Sequence, residues 1–132
     1  MASVDDVRRI ALALPQTTEG LSYGNLAWRV AGSLFAWERP LRRADIAALG
    51  DRLPDGPVYA VHTGDEGVKL ALIADDPAVF FTTPHFDGHP AVLFELDRIE
   101  VAELTELITD AWLSRAPRKL AADYISSRSA ED

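Results

Sequence analysis

Between residues 101 and 112 the apolar side chains Val101, Leu104, Leu107, Ile108, Ala111 and Trp112 recur at three- and four-residue intervals, while Glu100, Glu103, Glu106 and Asp110 occupy the other side. That spacing belongs to an α-helix with one apolar stripe, and a stripe of this width has to be buried against something of equal extent. The rest of the chain must therefore provide a partner layer. At 132 residues there is room for one domain and one core. With 48% hydrophobic and 26% charged residues, composition is that of a folded globular chain that buries on the order of two-thirds of its unfolded surface.

The partner layer reads as β-sheet. Asn25 to Val30 and Leu34 to Glu38 are aromatic and aliphatic runs flanking Ala31-Gly32-Ser33, the pattern of a hairpin. After Pro54-Asp55-Gly56-Pro57, a strong turn signal, Val58 to His62 forms a third strand, and Val79 to Thr82 and Ala91 to Leu96 a fourth and fifth. Ser3 with Asp6 three residues on caps a first helix carrying Val4, Val7, Ile10, Ala11 and Leu14, which ends near Ala13 because Pro15 disfavours helix at the residue before it. The polar stretch that follows reads as a loop, and Pro40 to Gly50 as a short helix. Val68, Leu70 and Leu72 alternate like a strand, yet Val68, Ala71 and Leu72 also share a helical face, so the residues leave both open. Pro117 ends the long helix and opens a short one through Leu120, Tyr124 and Ile125. The expected organisation is a single domain over 1–125 and a polar tail over 126–132, frayed at its end.

Charge and cysteine content narrow the function classes. Thirteen Lys and Arg against 21 Asp and Glu give a net charge of -8, so the overall field repels nucleic acid and anionic membrane, and any such binding needs a local patch. The chain has no cysteine, which removes disulfides, thiolate metal sites and a cysteine nucleophile. Its apolar runs fall short of the roughly 18 residues a membrane span needs, and Met1 to Asp6 lacks a signal-peptide pattern. These features point to the cytoplasm and to no membrane partner.

Several motifs carry chemistry in other settings. Gly20-Leu21-Ser22-Tyr23-Gly24 matches the serine-nucleophile pattern, but it precedes a strand, whereas the nucleophile needs a strand-to-helix turn. His85 and His89 flank Asp87 at metal-ligand distance in sequence, but Pro84, Gly88 and Pro90 make this a turn, where four-residue spacing does not align two imidazoles. No glycine-rich phosphate loop or dinucleotide fingerprint occurs, and no cofactor or metal is expected. The acidic pair Asp75-Asp76 and the acidic side from Asp97 to Asp110 read as solvated surface. Two basic runs stand out, Arg39-Pro40-Leu41-Arg42-Arg43 and Arg115-Ala116-Pro117-Arg118-Lys119, each with three cations and no acid. Such runs neutralise phosphates, although cations of the second would also suit the C-terminal end of the long helix.

Ala11-Leu12-Ala13-Leu14-Pro15, Glu19 to Gly24 and Ala27 to Ala36, with Phe80 to Leu93 and Asp110-Ala111-Trp112, resemble the MmcQ/YjbR family in the right order over roughly residues 3 to 120. The resemblance implies an α+β, two-layer α/β sandwich similar to the secretion-chaperone fold. Its expected order is helix, three strands, helix, two strands, helix, with a five-stranded, mainly antiparallel sheet and helices on one face. It also implies that Glu66 to Ala74 is a helix, and members are commonly labelled DNA-binding. The leading expectation is a non-enzymatic, cytoplasmic binding domain that contacts DNA through Arg29, Arg39, Arg42, Arg43, Arg118 and Lys119. A second is a module for a basic or amphipathic protein or peptide. A third is a small-molecule or metal site near Glu19, Tyr23, His85 and His89, with Ser22, Thr83 and Phe86 completing a polar and aromatic pocket.

Overall fold

The computed structural model describes the backbone of residues 1–131 and the side chains of residues 1–128. Six strands form one antiparallel sheet: β1 (Thr17–Ser22), β2 (Asn25–Val30), β3 (Ser33–Glu38), β4 (Val58–His62), β5 (Phe80–Phe81) and β6 (Ala91–Glu95), in the order β1-β2-β3-β4-β6-β5. The helices are α1 (Val4–Leu12), α2 (Arg43–Leu49), α3 (Glu66–Asp75), α4 (Val101–Arg115) and α5 (Arg118–Glu131). None among the described residues is long and apolar enough to cross a membrane.

The main core lies between α1 and α4 and one face of the sheet. Strand alternation sends Trp28, Val30, Tyr59, Val61, Val92, Phe94 and Phe80 to this face. Against them α4 lays Leu104, Leu107, Ile108, Ala111 and Trp112, the stripe that its sequence displays. A β-bulge between β2 and β3 leaves Phe35 as the extra residue, and both Phe35 and Ala36 enter the same core. The indole N–H groups of the two fully buried tryptophans are satisfied: Trp112 donates to the Pro15 carbonyl at 3.1 Å and Trp28 to Glu19 Oε1 at 3.0 Å.

Four expectations need correction. The sheet has six strands, not five, because residues 17–22 form β1 where a loop was expected. It pairs with β2 along its whole length through a two-residue turn in which Tyr23 (φ 51°) and Gly24 (φ 81°) both take the left-handed conformation that matches strand twist. As an edge strand exposed on most of its surface, β1 lacks the apolar alternation by which a strand is read. Secondly, helical cover is not confined to one face. Val58, Ala60, Ala91, Leu93 and Phe81 point to the second face, where Phe86 of a 3-10 turn (Pro84–Phe86) and Leu41 and Leu49 at α2 pack on them. Thirdly, β5 is shorter than 79–82, since only Phe80 and Phe81 pair with β6. Lastly, the C-terminal helix does not stop at Ile125; α5 runs through the expected tail to Glu131, and Asp132 lies outside the described residues.

The open choice over residues 66–74 resolves as helix. Asp65 caps it, its Oδ1 accepting from the Val68 N–H at 2.8 Å, and Leu72 and Ile73 pack on the main core. One side chain of α3 is fully buried, and it is Lys69, 1% exposed. Its ammonium donates to the carbonyl oxygens of Phe86 at 2.5 Å and His89 at 3.1 Å, so the charge is solvated by the backbone of the 84–90 turn. Hydrogen bonds to a charged group contribute about 1.5–3 kcal/mol each, and loss of one partner strands the other. Lys69→Met, which keeps the stem but not the donors, is expected to lower unfolding free energy by about 2–4 kcal/mol in urea titration, with amide exchange accelerated first at residues 86–91.

Candidate functional site

Most of the cations belong to the fold. Arg39 is 6% exposed beneath α2, with Nη2 3.2 Å from the buried Asp45 carboxylate and its guanidinium over the Phe86 ring at 5.3 Å. Burial pushes the Asp45 carboxyl up, but the Arg42 N–H and the Arg39 charge outweigh it and hold the group below its ordinary value. Arg8 pairs with Glu19 at 3.0 Å, Arg52 and Arg98 with Glu95, and the Arg115 guanidinium donates to the Leu34 carbonyl.

The expected DNA-contacting set is therefore not one surface. Arg39 is buried and cannot reach a phosphate. Arg42 and Arg43 are exposed just beyond the end of β3, where α2 starts. Arg29 pairs with Leu34 near the other end of β3, about 14 Å from Glu38 at strand rise. Its neighbours Trp28 and Val30 enter the main core, so Arg29 points to the opposite face. Arg118 and Lys119 follow Arg115 at that same end, and they occupy the first turn of α5, not the C-terminal end of α4, so the helix dipole opposes them.

Nor do the expected pocket residues meet. Glu19 lies in edge strand β1 on the main-core face, bound to Arg8 and Trp28. Ser22 ends that strand, and Tyr23 is 96% exposed at the turn tip. Thr83 and Phe86 are buried under α2 on the second face, whereas His85 is exposed with its ring edge against Phe86. His89 is exposed and contributes only its carbonyl, to Lys69. These residues build a turn and a brace.

What the fold does assemble is a groove between α3 and α4. Leu72 of α3, Leu107 of α4 and Phe80 of β5 line it, with a volume of about 290 Å³, and Val68 and His62 stand at its wall. Four carboxylates also line it: Asp75 from α3, and Glu103, Glu106 and Asp110 from successive turns of α4. No Lys or Arg does. Burial raises the Asp110 carboxyl above its ordinary value, and repulsion from Glu106 adds to it. His62 brings no compensating charge at neutral pH, since burial first and the Arg115 charge next push its imidazole down. Among the described residues no group of three or more His, Asp or Glu is placed to hold a metal ion. All four acids are exposed, as expected of a solvated face, and helix α3 sets Asp75 opposite the three of α4.

Comparison with known proteins fixes the lineage. The YjbR family model matches residues 12–114, most of the chain. The chain belongs to the YjbR family. It is 52% identical over 130 residues to uncharacterized proteins of Mycobacterium bovis and Mycobacterium tuberculosis, covering 96% of this chain and 98% of theirs. The crystal structure of Deinococcus radiodurans protein DR2400, with family-model domain DUF419, superposes with a TM-score of 0.63 at 22% identity, covering 86% of this chain and 78% of that one. That likeness shows the YjbR fold to be shared. Across this YjbR domain, the Asp110 carboxyl has a raised folded-state value, so its stabilising contribution is present at acid pH and is lost as pH rises through that value. Asp110→Asn removes the loss. It is expected to raise stability at pH 7 by about 0.2–0.5 kcal/mol, the scale of a like-charge helix pair, with the gain vanishing below about pH 4 in parallel thermal melts.

Proposed function

We propose that this YjbR domain is a non-catalytic binding module whose α3–α4 groove takes a basic, amphipathic protein segment. The observation that carries the reading is the pairing of an apolar floor with four carboxylates and no internal cation. A Lys- or Arg-bearing helix or strand would seat its apolar residues on Leu72, Leu107 and Phe80 and bring its charges to Asp75, Glu103, Glu106 and Asp110. Relief of the repulsion between Glu106 and Asp110 adds to the gain, and the net charge of -8 would speed encounter with a basic partner.

DNA is the competing partner, as the family label implies. Arg29, Arg42, Arg43, Arg118 and Lys119 have no ion pair among the described residues and could contact phosphates. Their distribution over two ends of β3 favours the protein reading, because phosphate contacts gain most when cations track one backbone.

Fluorescence anisotropy with a labelled amphipathic Lys/Leu peptide, its Glu/Leu counterpart and a labelled DNA duplex separates the two. The basic peptide is expected to bind saturably and to weaken with salt, and the double substitution Glu106→Gln and Asp110→Asn should cost about tenfold in affinity or more. Equal binding of both peptides, no loss in the double variant, or salt-sensitive DNA binding lost on Arg42→Ala and Arg43→Ala would overturn the proposal.

A further inference from the structure

A second cavity, of about 580 Å³, opens on the main-core face where the start of α1 stands clear of the sheet. Its size is that of a small-molecule pocket. Val4, Leu26, Leu96 and the Tyr59 ring supply apolar walls. Glu38 lies among them, brought there by register: it pairs with Tyr59 across β3 and β4, and β2 places Leu26 on its other side.

The Glu38 carboxylate is poorly satisfied by the protein. It accepts from the Leu26 N–H and from the Tyr59 hydroxyl, both at a long 3.4 Å, and among the described residues no Lys or Arg pairs with it. Both cations of the lining are taken by acids outside it, Arg8 by Glu19 at 3.0 Å and the Met1 ammonium by Glu100 at 3.3 Å, and Asp97 adds a second carboxylate. Tyr59 stays a neutral hydroxyl, because burial and then the Glu38 charge push it up to about 12. Its O–H donates to Glu38 and its lone pairs remain able to accept. Two carboxylate oxygens and one phenolic oxygen thus face a cavity with apolar walls.

We infer that this cleft binds a small organic ammonium with an apolar body, its N–H groups donating to the Glu38 carboxylate and the Tyr59 hydroxyl. An ammonium offers three donors to match three acceptors, and the charge partner that the carboxylate lacks. A carboxylate ligand would meet Glu38 and Asp97 as like charges. A neutral isostere would keep the apolar contacts and forgo the ionic ones. The cleft shares no residue with the α3–α4 groove, so the two sites stand or fall separately.

The test is an NMR titration of the full chain with phenethylammonium, 2-phenylethanol and 3-phenylpropionate as probes, read at backbone amides. Phenethylammonium is expected to shift Leu26, Glu38 and Tyr59 saturably, and more tightly than either isostere. Glu38→Gln, a near-isosteric change, should weaken it about tenfold, whereas Glu106→Gln should leave it unchanged. Leu26→Trp, which fills the cleft while leaving Glu38 in place, should abolish it, with amide dispersion confirming that each variant is folded. Three results would overturn the inference: no saturable shift with phenethylammonium, equal affinity for the anionic or neutral probe, or shifts that map to α3 and α4 and respond to Glu106→Gln.

Discussion

The ammonium of Lys69 is the interaction on which the second face of this domain depends. A fully buried cation without a carboxylate is tolerable only if fixed dipoles replace its water, and the carbonyls of Phe86 and His89 do so. In return the charge pins the 84–90 turn, seats Phe86 on Ala60, Leu93 and Phe81, and gives Arg39 an aromatic ring to lie over. Arg39 then holds Asp45 at the start of α2. One lysine, one arginine and one aspartate thereby close the face that α1 and α4 do not reach.

This use of cations explains the character of the surface. Lys69 and Arg39 are inside, and Arg8, Arg52, Arg98 and Arg115 are tied to partners that fix strand edges and helix ends. The acids outnumber them, and apart from Asp45 and Glu95, which are buried as partners of Arg39, Arg52 and Arg98, most remain outside; along α4 they stand on one side of the groove with Asp75 on the other. Binding of a cation is the response that such a distribution favours. An apolar floor selects, among cations, those carried on an amphipathic segment. Internal use of the cations leaves the exposed acids of the groove unmatched, and family membership adds fold without adding a partner.

Much of the fold is legible in the sequence. The α4 stripe, the capped α1, the β2–β3 hairpin, β4 and β6 are read from periodicity, because each buries one face and shows it. β1 escapes the same test, since Thr18, Glu19, Gly20 and Leu21 are exposed on an edge and no core selects their alternation. Lys69 misleads in the other direction: a lysine in an apolar helical position reads as surface, and only the two carbonyls show otherwise. For the sites, residue type is visible and company is not. Glu103, Glu106 and Asp110 are plainly one side of a helix, yet whether that side faces water or another helix depends on α3, whose own pattern fits strand and helix alike. Arg39 and Thr83 look like surface and loop residues, and both are buried because α2 folds back over the second face.

If the groove carboxylates receive a basic segment, the repulsion that Glu106 exerts on Asp110 is relieved when that segment binds. NMR of the Asp110 side-chain carboxyl through acid titration, alone and with a saturating Lys/Leu peptide, reads this relief. The expected midpoint lies above that of a free aspartate in the protein alone and shifts downward with the peptide present. An ordinary midpoint, or one that the peptide leaves in place, would contradict it.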